Sequence, residues 1–389
     1  MGVTTTLINK PFNPRGNDQS PKGYNRAALY SGKALDFDGV NDYVQADGVN
    51  ETLDNYTLSW NLKTTSTQSY SSIFSNSTNV IDIYIKSNGQ LRFYTDQGYD
   101  STNLPPVNDG QWKNFVLSIS GTSLNIYVNG VLSETLSITD VSRSIANIRL
   151  GYIFSNLYAF NGDMAGFKLF NTALTAEQVA DLYNNPEKVV PTGVDNTALK
   201  LWLPMMEGAG TTAINGAPDA LGSELVTNGT FDSADDWSHS SQYSISSGKA
   251  SYNGSGSGKL YQTGKNLVGT KNYILTFDVS NASTYANIWI GNQAGLNSYT
   301  ASATYQTYYN GTNAVLLEGA NIGTETTLAF YANNVGSSFD IDNISLKEVA
   351  NCGTISGATW THGIGAPVSQ TSVIDWNKWK LEGGSTSNE

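Results

Sequence analysis

Cysteine is almost missing from this chain: Cys352 stands alone among 389 residues, so no disulfide can form within it. The fold must rest on its apolar core, in a reducing cytosol or in a protein that needs no staples. Histidine is nearly as scarce. His239 and His362 lie far apart in sequence, which excludes a histidine metal cluster. Charged residues make up only 14%, and their balance is acidic, with a net charge of −12. Such a surface repels phosphate backbones, so nucleic acid is not an expected partner; it can attract divalent cations. No apolar run is long enough to cross a membrane, so no membrane insertion is expected. The opening MGVTTTLINKPFNP has neither the basic start nor the apolar run of a signal peptide. Catalytic signatures are also missing. There is no nucleophile-elbow pattern and no closely spaced Glu/Asp motif on one strand. Gly254-Ser255-Gly256-Ser257-Gly258-Lys259 lacks the register of a phosphate loop. The expectation is a protein that is not an enzyme.

Present instead are 38 Gly and 22 Tyr, with abundant Ser, Thr and Asn. Gly, Asn and Ser suit tight turns, and Tyr and Thr suit half-exposed strands. Residues 1–30 are polar and without periodicity, and read as an N-terminal arm. Alternation begins at Leu35. Ile81 to Ile85 turns through Ser87-Asn88-Gly89 into Leu91-Arg92-Phe93-Tyr94. Phe115 to Ile119 and Leu124 to Val128 form a second hairpin, and Asn129-Gly130 then favours a type I′ turn into the next strand. Thr175-Ala176-Glu177-Gln178 has the capping-box form and opens one short helix, which Asn184-Asn185-Pro186 stops. A second β region follows, with strong strands at Tyr273–Val279, Ala286–Ile290, Thr327–Tyr331 and Phe339–Leu346.

The first region resembles the laminin-G/concanavalin-like family. Ala34-Leu35-Asp36-Phe37-Asp38-Gly39-Val40-Asn41-Asp42-Tyr43-Val44, Gly110-Gln111-Trp112, Leu124 to Gly130, and Phe160 to Leu174 occur in the family's order. The resemblance implies a two-sheet jelly roll that binds rather than catalyses. Where family members often carry an acidic pair before the last strand, this chain has Ala165-Gly166. That leaves Asp38, Asn41, Asp42 and Asp163 as oxygen ligands or as plain turn residues. The second region looks like a carbohydrate-binding module of the cellulose/xylan-binding jelly-roll type, through Glu224 to Asp232, Trp237, and Ile341 to Leu346. That resemblance implies a structural Ca2+ between Asp232 and Asp342.

The expected fold class is therefore all-β, with two antiparallel β-sandwich (jelly-roll) modules and one short helix. The expected division is an arm (1–30), a laminin-G-like sandwich (31–186), a linker with a laminin-G-like strand (187–222), a carbohydrate-binding-like jelly roll (223–349), and a returning strand with a C-terminal tail (350–389). Residues 197–213 and 353–362 resemble the opening strands of a laminin-G-like module, yet follow its body. They are expected either to complete the first sandwich, with the second module inserted between them, or to be the remnant of a lost module.

Sugar rings pack their C–H faces on flat aromatic rings. The glycan-binding candidates are Tyr243, Tyr261, Tyr305, Tyr308 and Tyr309 in the second module, and Tyr99, Tyr152 and Tyr158 in the first. Trp112, Trp237 and Trp289 fall within strand patterns and read as core. The pairing of modules, few cysteines and no export signal resemble bacteriophage virion proteins such as capsid fibres, decoration proteins and tail appendages. That resemblance implies a virion location, with other virion proteins, cell-surface glycans and further copies of the chain as partners. A secreted bacterial adhesin or accessory carbohydrate-binding protein is the alternative. A polysaccharide depolymerase is a third reading, which would require a clustered acidic pair in a groove.

Overall fold

The computed structural model describes residues 33–77, 81–95, 98–139, 143–185, 189–205, 208, 210–217, 220–292, 298–299, 305–322, 324–333, 337–362 and 379–380. The expected arm at 1–30, Trp376 and the polar end from Gly383 lie outside the described residues.

The chain is almost entirely antiparallel β-structure, in two sandwiches. Strand alternation builds the first. In Tyr56–Lys63 the side chains of Leu58, Trp60 and Leu62 enter the core, as do those of Phe115 and Leu117 on the adjacent strand Lys113–Ser120. Asn129 and Gly130 both take positive φ (51° and 78°), as the expected type I′ turn requires. One eight-stranded sheet runs Val131–Ser137, Ser123–Val128, Lys113–Ser120, Tyr56–Lys63, Asn161–Phe170, Lys33–Asp38 and Thr359–His362, and Leu199–Leu203 also pairs with Asn161–Phe170. The facing eight-stranded sheet runs Thr212–Ala213, Gly353–Ser356, Tyr43–Ala46, Ile148–Leu150, Tyr70–Asn76, Asp82–Lys86, Leu91–Tyr94 and Gly98–Asp100.

Both segments flagged for following the body of the module thus pair with it. Leu35 faces Trp360, Val44 faces Ile355, and Phe167 faces Leu203. The second sandwich enters the chain between these strands. Its two ends meet where the Ala350 amide donates to the Ala220 carbonyl at 2.8 Å.

The second sandwich packs a seven-stranded sheet against a five-stranded one. The larger runs Tyr243–Ser246, Lys249–Tyr252, Phe339–Val349, Asn272–Ser280, Gly311–Leu317 and Trp379–Lys380, with Leu221–Glu224 also on Phe339–Val349. The smaller runs Ser238–His239, Gly258–Val268, Thr324–Ala332, Ala286–Gly291 and Gln306–Tyr308. Strand Asn272–Ser280 serves two cores. Tyr273, Leu275, Phe277 and Val279 face into the sandwich, whereas Ile274 joins Ala314, Leu316 and Val349 in a separate apolar cluster against the first module. Opposite them in that cluster are Phe170, Leu174, Trp202 and Ile214, with Val179 and Leu182 of the helix Ala176–Asn184. Thr175 and Gln178 close the expected capping box on that helix. A one-turn helix, Gly319–Ile322, was not foreseen.

Candidate functional site

The five-stranded sheet turns Leu260, Ile288, Ile290, Leu328 and Phe330 into the core. Period-two alternation then places their neighbours on the opposite face. Across that outer face, register aligns Lys259 with Tyr331 and Tyr331 with Trp289. The next row holds Tyr261, Ala329 and Gly291. Ala329 and Gly291 beside Tyr261 are small and buried. Trp289 and Tyr331 meet edge to face with ring centroids 4.9 Å apart. The Lys259 ammonium lies 4.9 Å from the Tyr261 ring and 5.9 Å from the Tyr331 ring. Tyr305, 37% exposed, precedes the edge strand Gln306–Tyr308.

Burial, with the nearby Tyr305 and Tyr261 hydroxyls, pushes the Tyr331 phenol above its ordinary value, and burial does the same for Tyr305. Both phenols stay neutral through the physiological range; the Tyr331 hydroxyl donates to the Asn292 carbonyl at 3.3 Å. Lys259 supplies the charge in these rows, which carry no Asp or Glu. The chemistry is that of a partly exposed aromatic patch, its rings set at angles to one another, with hydroxyl and ammonium groups at its margin.

The expected site residues divide accordingly. Tyr261 and Tyr305 belong to the platform, and Tyr309 is exposed just past its edge strand. Tyr243 and Tyr308 are 2% and 1% exposed and sit in the core; Tyr243 packs on Tyr252 and Phe339, and Tyr308 on Phe277. Burial corrects the expectation that these two offer a ring to a sugar. In the first module the Tyr99 hydroxyl is held by Thr139, while Tyr152 lines a surface cleft. Trp237 is core, as expected, with its indole N–H donating to the Asn228 carbonyl. Trp112 is half-buried against Lys63, Ala34 and Ala165. Trp289 is buried as expected, at 9% exposed, although it lies on the sheet face away from the sandwich interior. Tyr331 was not singled out from the sequence. Its parity opposite Phe330 is the signal that marks it.

Asp232 and Asp342 come together with Asp278, which faces Asp342 across the Asn272–Ser280 and Phe339–Val349 strands. The loop carrying Asp232 is clamped onto the last strand, where the Ile344 amide donates to the Gly229 carbonyl at 2.9 Å. A Cβ on Gly229 would sit 1.9 Å from the Ile344 carbonyl oxygen, so only glycine permits this approach. Thr230 donates to Asp232, Asn343 donates through its side chain to Asp278, and the Asn343 amide donates to Asp342. Burial, then the charges of Asp278 and Asp232, raise the Asp342 carboxyl above its usual range. Among the described residues no group of three or more His, Cys, Asp or Glu is arranged to hold a metal ion by side chains alone. In the first module Asp38 and Asp42 serve the turn. Asp38 accepts from the Val40 amide and Asp42 from the Asp38 amide, while Asp163 pairs with Lys63 at 2.5 Å. The His239 ring lies beside the Ser240 carbonyl in the second module, and His362 is on a strand of the first.

No curated protein matches the chain. Among solved structures it is similar to a native heptameric SAP-like pentraxin from Limulus polyphemus (16% identity, TM-score 0.35), over 40% of this chain and 82% of that one. It is also similar to domain 4 of an extracellular arabinanase from Geobacillus stearothermophilus (22%, TM-score 0.34), over 39% and 76% of the two chains. A third is the carbohydrate-binding module of the IT-sialidase from Ruminococcus gnavus (16%, TM-score 0.32), over 38% and 96%. Residues 38–180, the body of the first sandwich, match the laminin-G-type model of the concanavalin A-like lectin/glucanases superfamily.

Proposed function

We propose that this chain is a non-catalytic carbohydrate-binding protein whose second module holds a glycan on the platform of Trp289, Tyr331 and Tyr261. The observation that carries the reading is the alignment of these rings on a sheet face that the sandwich core does not use. The partly exposed Tyr261 and Tyr331, with Trp289 buried beneath Tyr331 and Tyr305 at the edge, fit a ligand with C–H faces and a hydroxyl rim. The superfamily matched by the first module includes lectins, which agrees with binding. The test is retention of the native chain in gels containing single soluble polysaccharides, neutral and acidic. Retardation by at least one is expected; free migration in all of them would overturn the reading.

The place of action proposed is the surface of a bacteriophage particle, with cell-surface glycans as the target. This rests on the combination of modules in the sequence. Immunogold labelling of particles and host cells tests it, and label on cells alone would favour a secreted adhesin instead.

A calcium ion beside Asp232 and Asp342 is also part of the proposal. It would offset the burial and the neighbouring carboxylate charges that raise Asp342, with backbone oxygens completing the shell. Without a cation the sign is fixed: a raised folded-state value means the protonated form favours the fold. That contribution is present at acid pH and lost as pH rises through the folded-state value. Chelation at pH 7 is therefore expected to lower the melting temperature of the native chain and leave Asp342→Asn unmoved. A native chain indifferent to chelator, and less stable than Asp342→Asn, would contradict the calcium.

A further inference from the structure

We infer that the first module carries a second carbohydrate site, in the surface cleft beside Tyr158, which takes one or two units of an uncharged sugar. The ligand class rests on the carbohydrate-binding reading above. The cleft lies between the Phe37-Asp38-Gly39-Val40 turn, residues 68–70 and residues 152–159. Its volume is about 360 Å³, near the lower end of the roughly 300–1,000 Å³ typical of small-molecule sites.

The cleft is built around one exposed ring. Tyr158 is 43% exposed, yet its ring is braced by Tyr70 at 5.1 Å and Tyr84 at 5.6 Å between centroids. Tyr84 is itself buried and fixed by donating its hydroxyl to Asp82 at 3.0 Å. Asn156 and Tyr158 both adopt left-handed backbone, with φ of 57° and 58°. Asparagine takes that conformation readily, but for a bulky residue such as Tyr158 it is unfavourable and must be held by its surroundings. Here Arg149 holds it. The guanidinium stacks on Phe154 at 4.4 Å and donates to the Ile153 carbonyl and the Asn156 carboxamide oxygen. The second bond orients Asn156 and leaves its amide NH2 unused among the described residues.

The ligand class follows from the lining. Tyr152 and Tyr158 offer ring faces, Leu157 adds apolar surface, and Gln68 and Asn156 supply amides. No charged side chain lines the cleft. An anionic sugar would find no counter-charge there, whereas a neutral pyranose can stack its C–H face and hydrogen-bond its rim. The same absence of carboxylates leaves no acid/base pair for hydrolysis at this spot.

The test is calorimetric titration of the full chain, with Tyr158→Ala, Asn156→Ala, Trp289→Ala and the pairwise combinations. The probes are laminarin, xylan, galactomannan and arabinan as neutral polymers, and polygalacturonate and alginate as acidic ones. Tyr158→Ala and Asn156→Ala are each expected to weaken binding of at least one neutral polymer by about fivefold or more. The same loss is expected in the Trp289→Ala background. Asn156 is exposed, so its variant stays informative if Tyr158→Ala disturbs the loop. Neutral-polymer binding unchanged in both variants, or a loss confined to acidic polymers, would overturn the inference and leave the platform untouched. Binding by the native chain to none of the probes would overturn this site and the platform together. Loss on Trp289→Ala alone would keep the platform and refute the cleft.

Discussion

A chain ending at Cys352 is expected to lose the unfolding transition of its first sandwich, although every residue matched by the superfamily model is still present. Gly353–Ser356 lies between Tyr43–Ala46 and Thr212–Ala213, inside the sheet rather than on its edge. Thr359–His362 forms the edge next to Lys33–Asp38. Ile355 is part of the first core, Ala358 and Trp360 pack against it, and the Trp360 indole donates to the Gly210 carbonyl at 2.9 Å. Truncation would open ladder bonds in both sheets and expose Val44, Leu203 and Ala213. Loss of one large buried aliphatic side chain costs about 2–5 kcal/mol. Loss of two strands exceeds the roughly 5–15 kcal/mol by which a domain is stable. The converse deletion should be tolerated. Replacing residues 221–349 by a short Gly/Ser link joins Ala220 to Ala350, which are already hydrogen-bonded. Differential scanning calorimetry checks both. A native-like first transition in the truncated chain would show that the returning strands are dispensable.

The second large effect is on binding. Trp289→Ala and Tyr331→Ala are each expected to weaken glycan binding at the platform by about 2 kcal/mol, roughly thirtyfold, and together to leave only the binding of the cleft in the first module. Tyr331 is half-buried, so Tyr331→Ala should leave the melting temperature close to that of the native chain and carries the binding test; Trp289 is 9% exposed, so Trp289→Ala is expected to lower the melting temperature as well. Tyr243→Phe is the matched control: it alters a core hydroxyl and should leave binding unchanged. Affinity electrophoresis in the best-retarding polysaccharide reads all four variants, the double one included. Full binding by the double variant would contradict the platform.

The strands were legible because alternation and turn chemistry are local. Asn129-Gly130 sets its hairpin and Thr175 with Gln178 starts the helix from a few residues each. The returning strands were legible because Leu201, Trp202 and Leu203 and the Gly353-Thr354-Ile355-Ser356 stretch keep their strand pattern when displaced in sequence. The candidate site was less legible. Trp289 is buried as its strand membership suggests, yet Ile288 and Ile290 on either side claim the sandwich core and put it on the opposite face. Tyr308 lies on a strand of only three residues, too short for parity to emerge from sequence. Its burial follows from its place opposite Ala286. Asp278 joins Asp232 and Asp342 only through strand register, which the sequence does not display. The inter-module cluster left a trace in the unbroken apolar run Tyr273-Ile274-Leu275, the mark of a strand covered on both faces. The cleft beside Tyr158 is made of loops and left no periodic signal.

The central claim is that the outer face of the five-stranded sheet holds the glycan. Its most direct test is the indole N–H resonance of Trp289 in a 15N-labelled chain, assigned with Trp289→Phe, during titration with an oligosaccharide cut from the best-retarding polysaccharide. The account predicts a progressive, saturable shift of Trp289 while the buried Trp60 stays still. A Trp289 signal that does not move at saturating oligosaccharide would place the glycan elsewhere and contradict it.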